Sequence, residues 1–198
     1  FQNENVNTII LDYNITIERD TEFIIPRDLT VDGDNQHKIT GNGSIKIVPE
    51  GGDHNLVFKN LTFDPADNVT EWFKNNNDEY HYIRLHSSSQ GYAVNTTFDN
   101  CFIDIVDSDS LPGSFWIDRA GGDLKVVNSD INIVDHIAFN INHGGIGIFK
   151  NNDFNKTYPV LYAYNHIETS IEMVDNNFED LTWITNLTTK FNDENSIS

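Results

Sequence analysis

Apolar and polar residues alternate along most of this chain in short runs, and the runs recur within a repeated phrase. The phrase consists of an apolar residue, a spacer, an asparagine, and an apolar or aromatic residue two or three positions later. It occupies residues 58–63, 98–102, 126–131, 149–154 and 174–178. Runs such as 102–106 and 131–134 are rich in Val, Ile and Phe and have the two-residue period of a strand. We therefore predict short β-strands joined by tight polar turns.

The spacing of the phrase predicts a solenoid. Its asparagines lie 40, 28, 23 and 25 residues apart, at Asn60, Asn100, Asn128, Asn151 and Asn176. A repeat of this length is too small to bury its own apolar face and needs a neighbour stacked on it. About eight coils fit into the chain, roughly 4.8 Å apart. Because asparagine tolerates left-handed backbone and bonds nearby backbone groups, we expect it to make the turns and to form a side-chain ladder inside the stack.

The opening of the chain adds a family resemblance. Residues 24–35 run from an apolar strand through Asp32 and Gly33 into a polar turn, and residues 38–43 repeat the pattern. This opening and the asparagine repeat resemble the right-handed parallel β-helix of the pectate-lyase-like superfamily. The bias toward Asn, Ile, Asp and Thr is most similar to adhesin-like surface proteins of methanogenic archaea.

That resemblance implies an all-β, right-handed parallel β-helix solenoid as a single domain over residues 1–198. It also implies an extracellular, cell-surface location, and we expect the chain to be a piece of a larger protein with further repeats. The resemblance does not fix the activity, because the same coil carries lyases, hydrolases and binding proteins.

Composition narrows the choice of partner. The chain has 31 acidic and 12 basic residues and a formal net charge of −19. A field of that sign repels phosphate backbones, so nucleic acid is excluded as a partner, and no apolar run predicts membrane insertion in this segment. Cys101 is the single cysteine, which excludes an intramolecular disulfide. Its place inside a repeat predicts a small apolar core side chain.

Calcium is an alternative that the acidic residues leave open, and no other cofactor is expected. Asp104, Asp107 and Asp109 offer the oxygen ligands that calcium prefers. They do not complete a known calcium loop with its glycine and terminal glutamate. A solvated acidic surface is the preferred interpretation.

Function is expected where the repeat is interrupted. An insertion near residues 64–92 should be extruded from the solenoid as a loop, and such loops often form the binding face. Four aromatic residues lie between positions 72 and 82 of this insertion, and a second interruption at 110–116 carries another tryptophan. They are Trp72, Phe73, Tyr80, Tyr82 and Trp116. Aromatic faces stack on sugar rings while amides and carboxylates bond the hydroxyl groups, which predicts an adhesin-like module binding a glycan or another cell-surface ligand. Packing of these rings onto the rod is the competing interpretation.

Two other classes of function stay open. The resemblance also admits a polysaccharide lyase or hydrolase, for which Asp118, Arg119 and Arg84 are the candidate catalytic residues. The net charge counts against an acidic substrate. The third class is a structural stalk that associates through exposed end coils.

Overall fold

The computed structural model describes residues 7–41, 43–65, 73–74, 80–85, 90–105, 113–114, 122–133, 137–141, 145–155, 158–163 and 169–179. Within these ranges all regular secondary structure is β-strand. The strands are β1 (Thr8–Ile10), β2 (Ile15–Thr16), β3 (Thr21–Ile25), β4 (Leu29–Asp32), β5 (Lys38–Gly41), β6 (Ile45–Pro49), β7 (His54–Lys59), β8 (Thr62–Pro65), β9 (Phe73–Lys74), β10 (Tyr80–His81), β11 (Ile83–Leu85), β12 (Val94–Asp99), β13 (Phe102–Ile105), β14 (Gly113–Ser114), β15 (Leu124–Val127), β16 (Asp130–Ile133), β17 (Ile137–Ile141), β18 (Gly145–Lys150), β19 (Asp153–Asn155), β20 (Tyr158–Ala163), β21 (Thr169–Val174) and β22 (Asn177–Glu179).

The strands stack into a parallel β-solenoid, as the repeat predicts. Sheet A has the order β1-β4-β7-β12-β15-β18-β21, and sheet B has the order β2-β5-β8-β13-β16-β19-β22. Sheet C has the order β11-β6-β3, and β17 pairs with β20. Each of the first six coils passes through sheet A, then sheet B, then a further strand, and the seventh is described in sheets A and B. The two long sheets contain seven described strands each, so the predicted eight coils overstate the stack. The right-handed winding stays a prediction.

Aromatic rings fill the interior along the solenoid axis. Register places Val31, Phe58, Phe98, Val126, Phe149 and Met173 in one column of sheet A. The rings of Phe58 and Phe98 are stacked with centroids 5.3 Å apart, and Phe63 from sheet B meets Phe58 edge-on at 5.2 Å. Burial of one such side chain contributes about 1.5–3 kcal/mol. Each coil therefore supplies part of a core that only the neighbouring coils complete.

Left-handed turns join sheet A to sheet B, as predicted. Asn60, Asn100, Asn128 and Asn151 have φ angles of 51°, 53°, 52° and 55°. The fifth turn differs from the prediction, because Phe149 pairs with Met173 and so Asn151 aligns with Asp175, not with Asn176. Asp175 has a φ of 53°. The last repeat is thus 24 residues long (175 − 151), one fewer than the asparagine spacing suggested.

Two side-chain ladders run along these turns. The left-handed asparagines make the outer one, in which Asn100 Nδ2 donates to Asn60 Oδ1 at 2.7 Å and Asn151 Nδ2 donates to Asn128 Oδ1 at 3.3 Å. The interior ladder is formed by the residue that follows each turn residue, namely Cys101, Ser129, Asn152 and Asn176. The prediction of an interior asparagine ladder is therefore confirmed for Asn176. It is wrong for Asn60, Asn100, Asn128 and Asn151, which lie in the outer ladder.

The Asp-Gly phrase of the opening has a packing cause. A Cβ at Gly33 would lie 2.6 Å from the Asn60 carbonyl oxygen of the next coil. Only glycine fits at this distance. Asp34 and Asn35, with φ angles of 52° and 55°, then complete the turn.

The insertion is shorter than the predicted 64–92. Asp64 and Pro65 belong to β8, and β11 rejoins the solenoid in sheet C, where Ile83 pairs with Ile45. The excursion from the coil therefore lies between β8 and β11.

Candidate functional site

The two interruptions of the repeat meet in a small sheet, which we call sheet D. Strand β10 pairs antiparallel with β9 and parallel with β14, in the order β14-β10-β9. Tyr80 lies beside Gly113, and His81 lies beside Ser114. The sequence carried no signal for this contact, because neither segment contains a long or alternating run.

The predicted ligand-binding residues fall into three groups. Phe73 and Tyr80 lie on the antiparallel strands of sheet D. Trp72 and Trp116 lie outside the described residues. Tyr82 has an exposed fraction of 0%, and burial raises the pKa of its phenol above the usual range. Its ring is part of the core, which differs from the expected surface position.

The candidate catalytic residues do not assemble into a described site. Arg84 lies in β11, where its backbone pairs with Lys46 of β6. Asp118 and Arg119 lie outside the described residues. The lyase or hydrolase constellation therefore stays a prediction.

The three calcium candidates also do not assemble into a described site. Asp104 lies in β13, and its Oδ1 accepts a hydrogen bond from Asn132 Nδ2 at 2.7 Å. Asp107 and Asp109 lie outside the described residues. Within the described part of the chain, no three His, Cys, Asp or Glu side chains are grouped to hold a metal ion.

The outer side of sheet B carries a continuous polar surface. Phe63, Ile103, Ile131 and Phe154 of this sheet are fully buried, so their strand neighbours face outward. We call this surface the acidic face and define it by Asp64, Phe102, Asp104, Asp130, Asn132, Asp153 and Asn155.

Like charges lie next to each other on the acidic face. Asp130 of β16 is in register with Asp153 of β19. Partial desolvation raises the pKa of Asp130, and the charges of Asp153 and Asp104 add to the effect. Asn155 Nδ2 opposes this by donating to Asp130 Oδ1 at 3.0 Å. Lys38 forms an ion pair with Asp64 at the other end of the face.

An exposed aromatic ring lies among these carboxylates. Phe102 has an exposed fraction of 38% and is in register with Thr62 on one side and Asp130 on the other. Sequence reasoning missed it, because Phe102 was assigned to the apolar repeat. The signal was strand parity, since only one of the consecutive residues Phe102 and Ile103 can face the core.

Two segments of sheet D follow strands of sheet B along the chain. Strands β8 and β13 are neighbours in sheet B. The chain leaves sheet B toward β9 after Pro65, and toward β14 after Ile105. Both excursions therefore start from neighbouring strands of sheet B.

Cys101 has a structural role, as predicted. Its side chain has an exposed fraction of 2%, and its Sγ donates to the Phe58 carbonyl oxygen at 3.4 Å. Burial raises the pKa of the thiol to about 12. A buried thiol that stays protonated is a poor nucleophile.

The fold defines this chain as a parallel β-solenoid protein. The outer side of its sheet B is acidic and carries the exposed ring of Phe102. Comparison with protein-family models, with curated proteins and with solved structures finds no match. The resemblance to adhesin-like proteins of methanogenic archaea stays a prediction. The described residues include no helix with the length and apolar character needed to cross a membrane.

Proposed function

We propose that this chain is an extracellular, adhesin-like module of a cell-surface protein that binds glycans. The observation that carries the proposal is the exposed Phe102 ring on a sheet face lined with amides and carboxylates. Aromatic faces bind the apolar side of sugar rings, and the neighbouring polar groups bond the hydroxyl groups.

The shape of the surface supports a polymeric ligand. Strands of sheet B repeat at roughly 4.8 Å along the solenoid axis, which gives an extended row of similar positions. Solenoids commonly use such extended surfaces for binding. A sugar chain lying along the axis would contact several coils at once.

A glycan array probed with the purified chain tests this proposal. We expect Phe102→Ala, and separately the double variant Trp72→Ala with Trp116→Ala, to weaken binding to the recognised glycan at least about tenfold, the loss that one stacked ring typically contributes. Tyr13→Ala is the matched control, because Tyr13 is an exposed aromatic residue of the first coil. Binding to no glycan on the array would overturn the proposal, and unchanged binding by both test variants would remove Phe102 and the two tryptophans from the binding site.

A structural stalk is the second candidate, and the first coil favours it. Strands β1, β2 and β3 each lie at one end of the described strands of sheets A, B and C. Ile10 and Ile24 on this coil are exposed. Sedimentation of the chain over a range of concentrations tests the idea, since stacking through end coils requires association.

A further inference from the structure

We propose that Asn14 is an attachment site for an N-linked glycan, added by a transferase that acts on exported proteins. The inference rests on the proposed function for the extracellular location, and it does not depend on glycan binding by the acidic face. It is carried by the sequence Asn14-Ile15-Thr16, which is an acceptor motif for N-glycosylation, and by the position of these residues on the first coil.

The motif alone does not select a site, because the chain contains several copies of it. They begin at Asn14, Asn42, Asn60, Asn68, Asn95, Asn155 and Asn186. The copies whose three residues are all described begin at Asn14, Asn60 and Asn95. These three have the same acceptor chemistry, so any difference between them in the folded protein comes from where the solenoid places them.

The motif at Asn14 is accessible from solvent. Asn14 and Thr16 are exposed, and Ile15 between them is half-buried. Tyr13, directly before the motif, has an exposed fraction of 75%. Strand β2 is two residues long and pairs with β5 through Ile15 and Thr16. A transferase can therefore reach the asparagine and the hydroxyl that it recognises without separating two interior coils.

The contact between Asn14 and the next coil is compatible with the modification. Asn14 Oδ1 accepts a hydrogen bond from the Lys38 backbone N–H at 3.0 Å. In the transfer, Nδ2 forms a bond to the anomeric carbon of a sugar chain carried on a lipid phosphate. The bond from that carbon to the phosphate oxygen breaks, the lipid phosphate leaves with the electron pair, and the amide loses one proton. Because Oδ1 is unchanged, the bond from Lys38 is kept.

The other two motifs are held inside the stack. Asn60 Nδ2 donates to an aspartate of the preceding coil at 3.0 Å, and Asn95 Nδ2 donates to an asparagine of the preceding coil at 3.2 Å. The central residues of these motifs, Leu61 and Thr96, each have an exposed fraction of 1%. A transferase has to separate neighbouring coils to bind either motif, and such opening costs free energy.

Transfer to the folded chain and to short peptides tests the inference. A purified oligosaccharyltransferase and a lipid-linked oligosaccharide are incubated with the folded chain, and mass spectrometry of a digest gives the occupancy of each asparagine. The matched substrates are three synthetic peptides, residues 11–18, 57–64 and 92–99. We expect all three peptides to be modified. In the folded chain, we expect Asn14 to be modified at least about tenfold faster than Asn60 or Asn95, because only those two require opening of interior coils.

A pair of threonine variants separates the motif from a general effect on the first coil. Thr16→Val removes the hydroxyl that the motif requires and should abolish transfer to Asn14. Thr8→Val is the matched control, because Thr8 is an exposed threonine of β1 outside the motif, and it should leave the transfer unchanged. Circular dichroism of both variants checks that the solenoid is intact.

The remaining outcomes are decisive for Asn14. Transfer to the 11–18 peptide without transfer to Asn14 of the folded chain would overturn the inference, as would refusal of that peptide. Equal rates at Asn14, Asn60 and Asn95 of the folded chain would show that the solenoid does not select the site, and would overturn it too. The glycan array is a separate readout, since a chain modified at Asn14 that binds no glycan would overturn the proposed binding function alone.

Discussion

Asn152 is a core amide with a partner for each of its polar atoms. Its Nδ2 donates to the Val126 carbonyl oxygen and to Asn176 Oδ1, both at 2.9 Å, and its Oδ1 accepts from the Ser129 backbone N–H at 3.0 Å. Its exposed fraction is 1%. One side chain therefore joins three coils.

Replacing Asn152 by Ala should lower the free energy of unfolding by about 3 kcal/mol, because the Ser129 N–H and the Val126 carbonyl lose their partner inside the core. Urea denaturation followed by circular dichroism measures the change. Asn177→Ala is the matched control, since Asn177 is an exposed asparagine of β22. A loss no larger than that of the control would show that the interior ladder does not stabilise the fold.

Thr96 differs from Asn152 in how its buried polar atom is satisfied. It stands between Leu56 and Leu124 in an inward column of sheet A, and its buried hydroxyl has no hydrogen-bond partner among the described residues. Thr96→Val keeps the shape and removes the polar atom, so we expect a gain of about 1 kcal/mol in the free energy of unfolding. Thermal unfolding should show a higher melting temperature for this variant than for Thr97→Val on the outer side of the same strand. A lower melting temperature would contradict the assignment of that hydroxyl as unpaired.

At the scale of the strand, the paired aspartates of sheet B give the protein a pH dependence. The pKa of Asp130 is raised in the folded state, so its contribution to stability is fully present below the unfolded pKa and is lost as pH rises through the folded pKa. Asp130→Asn should therefore raise the free energy of unfolding by about 0.5 kcal/mol at neutral pH. The gain should vanish in acid, where the wild-type carboxyl is protonated.

Melting curves collected from acid to neutral pH test this dependence, with Asp12→Asn as a variant of equal charge change on an exposed turn. A gain that is the same at every pH would mean that the amide acts through hydrogen bonding. It would then say nothing about repulsion from Asp153.

The strands and turns were predictable because each is encoded locally. Val, Ile and Phe alternation gave the strands, and asparagine gave the left-handed turns. The fifth turn was predicted at Asn176 and lies at Asp175, because both residue types tolerate left-handed backbone. Only the register of β21 on β18 shows which residue makes the turn. The sequence did not locate the interior ladder, because the residue after the turn changes type from coil to coil, from Cys101 to Ser129 to Asn152.

The site was less predictable than the fold because it depends on which coils are neighbours. Asp130 and Asp153 are 23 residues apart in the chain, and only stacking puts them side by side. Tyr82 was expected at the surface because it belongs to an interruption, yet it lies next to the buried Ile83 at the start of β11. Aromatic content located the interruptions but did not determine which rings are exposed.

At the scale of the molecule, stability should follow the position of a coil in the stack. In a solenoid each repeat is stabilised by its neighbours, and interior repeats have two. The strands of the first coil have a described partner on one side only, whereas β7 lies between β4 and β12. Local opening should therefore reach the first coil before it reaches a central coil such as that of β7.

Native-state hydrogen exchange tests this gradient. We expect amides of β1 to exchange at least a hundredfold faster than those of β7 and β12, because opening the first coil breaks one interface while opening a central coil breaks two. The comparison of Ile9 with Phe58, which occupy the same column of sheet A, controls for position within the strand. Equal protection at both would mean that another surface covers the first coil in solution. A dilution series would then decide the matter, since protection supplied by a second copy must fall with concentration, and protection that persists would contradict the gradient itself.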